Sequence, residues 1–199
     1  GEYTSVILMN KGVLRVSRTP FALYRNLYTG QGGMSMKQPE LLKHTDTVNE
    51  QLARYGVKFG IYKNNIFKEQ LFPFDSIPRI IEHSEFCLLE KGLKQRVTAL
   101  NLFLKDIYSK KQIVKDGIVP EDFIFASSGY MAECEGVTPV KSVYSHISGI
   151  DLVKGKDGHW YILEDNLRVP SGASYPMIAR ELCRRSSPET FRDNRLEDN

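Results

Sequence analysis

Asp151, Glu164 and Asn166 are three oxygen-bearing side chains whose types and spacing could hold a hard cation. Two strand-like runs, "SVYSHISGIDLV" and "HWYILED", flank the linker "KGKDG". Asp157 and Gly158 form the preferred pair for a two-residue type I′ turn. Such a turn pairs Lys156 with His159 and fixes the register behind it. Gly155 then faces Trp160, Lys154 faces Tyr161, Val153 faces Ile162, Leu152 faces Leu163, and Asp151 faces Glu164. Asn166 falls opposite Gly149, whose missing side chain leaves open space. Alternation places Asp151, Glu164 and Asn166 on one face with Val153, Ile162 and Trp160.

Directly opposed residues hold their Cβ atoms about 4.5–5.5 Å apart. Two ionised carboxylates that close repel, so either one takes a proton or a cation sits between them. With the neutral oxygen of Asn166 added, the set suits Mg²⁺, which takes one or two carboxylates and fills its remaining positions with water or substrate phosphate. The other reading is a solvated acidic strand end whose charge Lys154 or another cation offsets. Just beyond lie Arg168 and the turn Pro170, Ser171, Gly172. An arginine there can meet phosphate oxygens bidentately, and Ser171 and Gly172 offer a hydroxyl and closely approachable backbone N–H groups. Those parts suit phosphoryl transfer, in which positioning and charge stabilisation do most of the work. Taken alone, a turn arginine is equally a surface ion-pair partner.

The elements that must position these residues are partly legible. Two β-rich runs around Asn10, Lys11 and Gly12 signal a hairpin. The glycine-rich stretch 29–36 lacks the GxxxxGK[ST] spacing of a phosphate loop and reads as a linker. A helix is predicted over 38–55 with Gly56 as its stop, then a strand over 57–62 and extended chain until Pro73. From Ser84, as N-cap, the positions Phe86, Leu89, Leu93, Val97, Leu100, Leu104 and Ile107 trace one face of a helix of about 24 residues. "KKQIVKDGIVP" reads as a short helix and turn, "DFIFASSG" as a strand, and 176–185 as a helix. Strands and helices intermix without regular βαβ alternation, which predicts an α+β fold with a mixed, largely antiparallel sheet and packed helices.

Composition narrows the classes. Of 199 residues, 41% are hydrophobic and 26% charged, the proportions of an ordinary globular protein. No apolar run approaches the 18 or so residues of a membrane span, and no signal-peptide pattern opens the chain. The 27 basic and 24 acidic residues are interspersed and leave a net charge of +3, which gives no footprint for nucleic acid. Three dispersed cysteines without CxxC spacing argue against a disulfide framework or zinc site and for a cytoplasmic setting. His44, His83, His146 and His159 form no HExxH motif or cluster, which disfavours a metal-dependent hydrolase.

The stretch "GIDLVKGKDGHWYILEDNLRVPSG" resembles the metal-binding hairpin of ATP-grasp ligases. With "FPFDSIPRII" and "EKGLKQRVTALNLFLKDIY", it is similar to the circularly permuted ATP-grasp type 2 family, relatives of glutathionylspermidine synthase-like ligases, over roughly residues 40–192. The resemblance implies part of a circularly permuted ATP-grasp fold in which Asp151, Glu164 and Asn166 ligate magnesium bridging the phosphates of ATP. It implies that Arg168 contacts the phosphates or an acyl-phosphate intermediate, and it makes Arg79 and Arg96 candidate anion contacts. Both arginines also read as ion-pair partners of nearby acids. One departure is "NLR" where many ATP-grasp enzymes carry Asn-Pro-Arg. A second is that the lysines and glycine-rich flap that grip ATP have no counterpart after the hairpin.

Three segments are therefore expected: an unassigned hairpin and linker over 1–36, an ATP-grasp-like domain fragment over 37–192, and a polar tail over 193–199 as the truncation point. The leading function is a fragment, inactive alone, of an ATP-dependent ligase joining a small-molecule or peptide carboxylate to an amine. Its partners are ATP, those substrates and the remainder of its own parent chain, with no nucleic acid and no membrane. The alternative is a non-catalytic binding or scaffold module with the same fold.

Overall fold

A computed structural model describes residues 3–9, 12–15, 22–25, 44–71, 79–170, 174–186 and 188–189. Strand β1 (Tyr3–Met9) pairs antiparallel with β2 (Gly12–Arg15), with Met9 opposite Gly12. That pairing is the hairpin signalled around Asn10 and Lys11. After β3 (Ala22–Arg25) comes helix α1 (Thr45–Arg54). Gly56 ends α1 at φ +69°, with the Gly56 N–H donating to Ala53 O at 3.0 Å and the Val57 N–H to Leu52 O at 2.9 Å. This double bond across a left-handed residue is the Schellman closure that glycine permits without steric cost.

Strands β4 (Lys58–Lys63) and β5 (Ile66–Leu71) form a separate antiparallel hairpin. Strand β6 (Arg79–Glu82) pairs parallel with β3, and the chain then enters the long helix α2 (His83–Ile107). Every apolar position of the face read from the sequence is buried or half-buried, with Phe86, Leu93 and Ile107 the most enclosed. Burying a side chain such as Phe86 contributes about 1.5–3 kcal/mol, so this stripe is what docks the helix.

Short helices α3 (Gln112–Lys115) and α4 (Glu121–Phe125) follow. Helix α4 overturns the strand predicted for "DFIFASSG". Pro120 precedes it with φ −60°, and Glu121 and Asp122 occupy its first turn, where the helix dipole favours acids. The Phe-Ile-Phe run imitates a strand, but only Ile124 is buried.

Strands β7 (Ile147–Lys154) and β8 (Trp160–Asn166) complete a four-stranded antiparallel sheet in the order β2-β1-β7-β8, and α5 (Ser174–Ser186) follows. The fold is α+β with largely antiparallel pairing, as the pattern predicted. Residues of the unassigned N-terminal stretch thus share a sheet with the β7–β8 hairpin. The glycine-rich stretch 29–36 and the tail 193–199 lie outside the described residues.

Among the described residues the core has two centres. In one, Leu93 of α2 packs on Ile150 and Leu152, with Val97 and Trp160 at the margin. Ile81 and Phe86 join it through Trp160. In the other, Val48 and Leu52 of α1 meet Ala179, Leu182 and Cys183 of α5. Burial pushes the Cys183 thiol up to about 12, so it stays neutral and packs as a small apolar group.

Candidate metal and phosphate site

The β7–β8 hairpin closes with one loop residue more than predicted. The Gly158 N–H donates to Gly155 O at 3.0 Å, the Gly155 N–H donates to His159 O at 2.7 Å, and Gly158 has φ +80°. That is a three-residue loop, 156–158, with its left-handed residue last, rather than a two-residue type I′ turn. The Asp157 carboxylate accepts from Tyr161 Oη at 2.6 Å and from the His159 N–H at 3.1 Å. Both bonds favour the charged form and hold its pKa below the usual range, the Tyr161 bond most.

The longer loop pairs Lys154 with Trp160, Val153 with Tyr161 and Leu152 with Ile162, one residue off the predicted register. A bulge at Leu163 then restores it: Asp151 pairs with Glu164 and Gly149 with Asn166, as read from the sequence. The two slips cancel before the acidic end. They also correct the face assignment. Trp160 and Ile162 belong with Leu152 on the side packed by α2, while Tyr161 joins Val153 on the carboxylate side.

Asp151 sits in the middle of three strands, opposite Ser5 of β1 on one side and Glu164 of β8 on the other. It is only 4% exposed, whereas Glu164 is exposed. Asn166 donates from Nδ2 to Glu164 Oε1 at 3.3 Å, leaving Oδ1 as its acceptor side. The space predicted over Gly149 is filled. A Cβ built there would lie 2.9 Å from Pro170 Cβ and 3.5 Å from Asn166 Cβ. The glycine lets the segment after β8 fold back over the carboxylate face, so Pro170 lies against Gly149 beside Asn166.

Asp165 points to the other face. Arg96 of α2 grips it with a fork, Nε to Oδ1 at 2.8 Å and Nη2 to Oδ2 at 2.6 Å. That bond raises the Arg96 pKa further, and it is the ion-pair reading of this arginine made explicit. A second tie joins the same helix to the sheet: Glu85 accepts from Trp160 Nε1 at 2.7 Å and from Lys154 Nζ. Lys154 is therefore drawn toward Glu85 on the α2 side rather than offsetting the Asp151 and Glu164 pair.

Arg168 lies two residues past Asn166 and is exposed. Arg79 starts β6 opposite Ala22, while its side chain, like Ser171 and Gly172, lies outside the described residues. Sequence reasoning passed over Asp165, although alternation places it opposite Glu164 in direction and so toward a basic helix. It also passed over Asn101, whose Oδ1 accepts from the Tyr144 and Ser145 N–H groups at 2.8 and 2.9 Å and fixes the entry to β7.

Asp151, Glu164 and Asn166 are hard oxygen donors, two charged and one neutral. Among the described residues no group of three or more His, Cys, Asp or Glu side chains gathers to hold a metal. The donor types of Asp151, Glu164 and Asn166 suit Mg²⁺, which takes one or two carboxylates and needs few protein ligands.

The family described as circularly permuted ATP-grasp type 2 matches residues 78–199, more than half of the chain. The chain belongs to that family. An uncharacterized protein of Synechocystis sp. is 47% identical over 159 residues, covering 79% of this chain and 33% of that protein. One of Mycobacterium leprae is 40% identical over 147 residues, covering 74% of this chain and 26% of that protein. A Frankia casuarinae protein named "Putative glutamate--cysteine ligase 2-2" is 46% identical over 118 residues, 59% of this chain and 14% of that protein. The chain spans about a third or less of the length of these relatives. Among the described residues no helix is long and apolar enough to cross a membrane.

Proposed function

We propose that this chain is the metal-hairpin portion of an ATP-dependent ligase that joins a carboxylate to an amine through an acyl phosphate. The observation that carries the reading is the register pairing of Asp151 with Glu164, one buried and one exposed, with Asn166 beside them. Family membership and the ligase name carried by the Frankia relative support it. The lengths of the relatives support a partnership with further chain that would grip the nucleotide, so the isolated portion would be inactive.

In this reading Asp151, Glu164 and Asn166 would hold Mg²⁺, which would supply charge neutralisation for the phosphates. Asp151 is paired through its backbone on both sides, so its carboxylate is presented from a fixed strand and costs little reorganisation. Glu164 and Asn166 are aimed by the Leu163 bulge, and the Arg96 fork on Asp165 braces the residue between them. Arg168 stabilises the transferring phosphoryl group. Arg79, Ser171 and Gly172 complete the phosphate contacts, while Arg96 is engaged by Asp165 on the α2 side and serves as a brace rather than an anion contact. No side-chain nucleophile is required, because the activated group is the substrate's own acyl phosphate. Soluble, cytoplasmic action on a small-molecule or peptide carboxylate accords with this chemistry.

The test uses the parent-length protein. Glu164→Ala is expected to abolish Mg-ATP-dependent phosphate release while leaving the folded fraction unchanged by circular dichroism. Undiminished phosphate release would overturn this assignment of the site, whereas a parent-length protein that itself releases no phosphate would favour a non-catalytic module.

A further inference from the structure

On the α2 side of the sheet, away from the Asp151 and Glu164 face, a groove of about 340 Å³ opens between α2 and the segment leading into β7. Its polar lining includes Thr98, Lys105, Lys141, Ser142 and His146. Its apolar wall is Val97, Leu102 and Val143. Thr98, Leu102 and Lys105 recur at helical spacing and so present one face of α2 to the groove. Among the described residues no carboxylate lines it, and neither Lys105 nor Lys141 is ion-paired. Lys111, which does not line the groove, is satisfied by Glu135 at 2.7 Å.

The opposite wall is built rather than loose. Lys141 and Ser142 are consecutive non-glycine residues in the left-handed region, at φ +58° and +54°. Such conformations persist where the surroundings over-determine them, and they cluster at ligand sites. The surroundings here are specific: Asn101 accepts from two successive backbone N–H groups just after this bend and donates to Val97 O at 3.0 Å. Buried Ser145 bridges to Ser148 at 2.8 Å and to Leu167 O at 3.2 Å. The bend therefore projects Lys141 from a braced backbone across from Lys105.

We infer that this groove binds a small organic anion, with Lys105 and Lys141 clamping a carboxylate or phosphate head and Val97, Leu102 and Val143 receiving its apolar portion. His146 and Thr98 supply shorter-range donors at the rim. Two lysines that line one concavity without an ion-pair partner can recognise an oxyanion by charge-assisted hydrogen bonds. The volume falls in the range of small-molecule sites. The inference does not depend on ligase chemistry, since neither ATP nor magnesium is involved.

The full chain, free of nucleotide and divalent metal, is titrated in parallel with inorganic phosphate and with succinate, following backbone amide shifts by NMR. Saturable shifts confined to residues 97–105 and 141–146 are expected. Response to phosphate alone assigns a phosphate-headed ligand, response to succinate alone a carboxylate, and response to both the shared oxyanion. Lys105→Gln is expected to weaken binding about tenfold or more. Lys141→Gly should do the same, and because glycine adopts φ +58° freely it removes the charge without threatening the fold. Lys111→Gln should leave affinity unchanged. No saturable shift with either anion, shifts scattered over surface lysines, or variants that retain affinity would overturn the inference.

Discussion

Arg96 shows how one side chain settles a choice that composition leaves open. Its fork on Asp165 spans α2 and β8, and Asp165 is only 16% exposed against 42% for the arginine. An exposed pair contributes about 0–1 kcal/mol, and bidentate geometry with a sheltered carboxylate places this one at the upper end. Arg96→Ala is therefore expected to cost about 1 kcal/mol, read as a lower urea midpoint with unchanged slope. Arg96→Lys should recover only part, because an ammonium cannot reproduce the planar fork. At this scale the sequence was informative about residue type and less so about direction. The pairing of Asp151 with Glu164 followed from alternation and a turn signal. Assigning Arg96 to phosphate or to a carboxylate required knowing that Asp165 faces α2, which depends on tertiary packing.

The hairpin owes its functional register to two irregularities of opposite effect. The loop at 156–158 adds a residue before β8, and the Leu163 bulge takes up the difference within the strand. The Asp157 and Gly158 pair signalled a turn correctly, yet Gly158 serves as the left-handed last residue of a longer loop. No glycine or proline marks Leu163, and the apolar run "WYIL" lacks the alternation that would betray a bulge. Each error was therefore invisible, and together they left the acidic end where the simple count put it. Bulges recur beside active sites because they re-aim side chains. Gly149→Ala tests how far the following turn depends on this element. The added methyl would come 2.9 Å from Pro170 Cβ, so the segment after β8 must shift. In the parent-length protein the expected outcome is weaker Mg-ATP binding by calorimetry, by about tenfold, with melting temperature changed much less.

Across the whole molecule, helix periodicity was legible and long-range pairing was not. The α2 stripe could be listed residue by residue, since its spacing is local. The meeting of Leu52 with Leu182, and of β1 with β7, joins segments more than a hundred residues apart, and no local pattern encodes it. The family match begins at residue 78, and the first 36 residues have no motif of their own, yet β1 is the inner neighbour of the strand that carries Asp151.

The placement of β1 gives the N-terminal segment a protective role. Seven residues of β7, from Ile147 to Val153, are paired with it, and alternate ones exchange backbone hydrogen bonds. A chain trimmed to the family match would turn β7 into a bare edge, a row of unmet donors and acceptors that recruits a strand from another molecule. Such a trimmed chain is expected to self-associate, visible as concentration-dependent species in sedimentation velocity, while the 199-residue chain stays free of them. Supplying residues 1–15 as a separate peptide should suppress that association. The segment without a motif is in effect a built-in guard against polymerisation of the site strand.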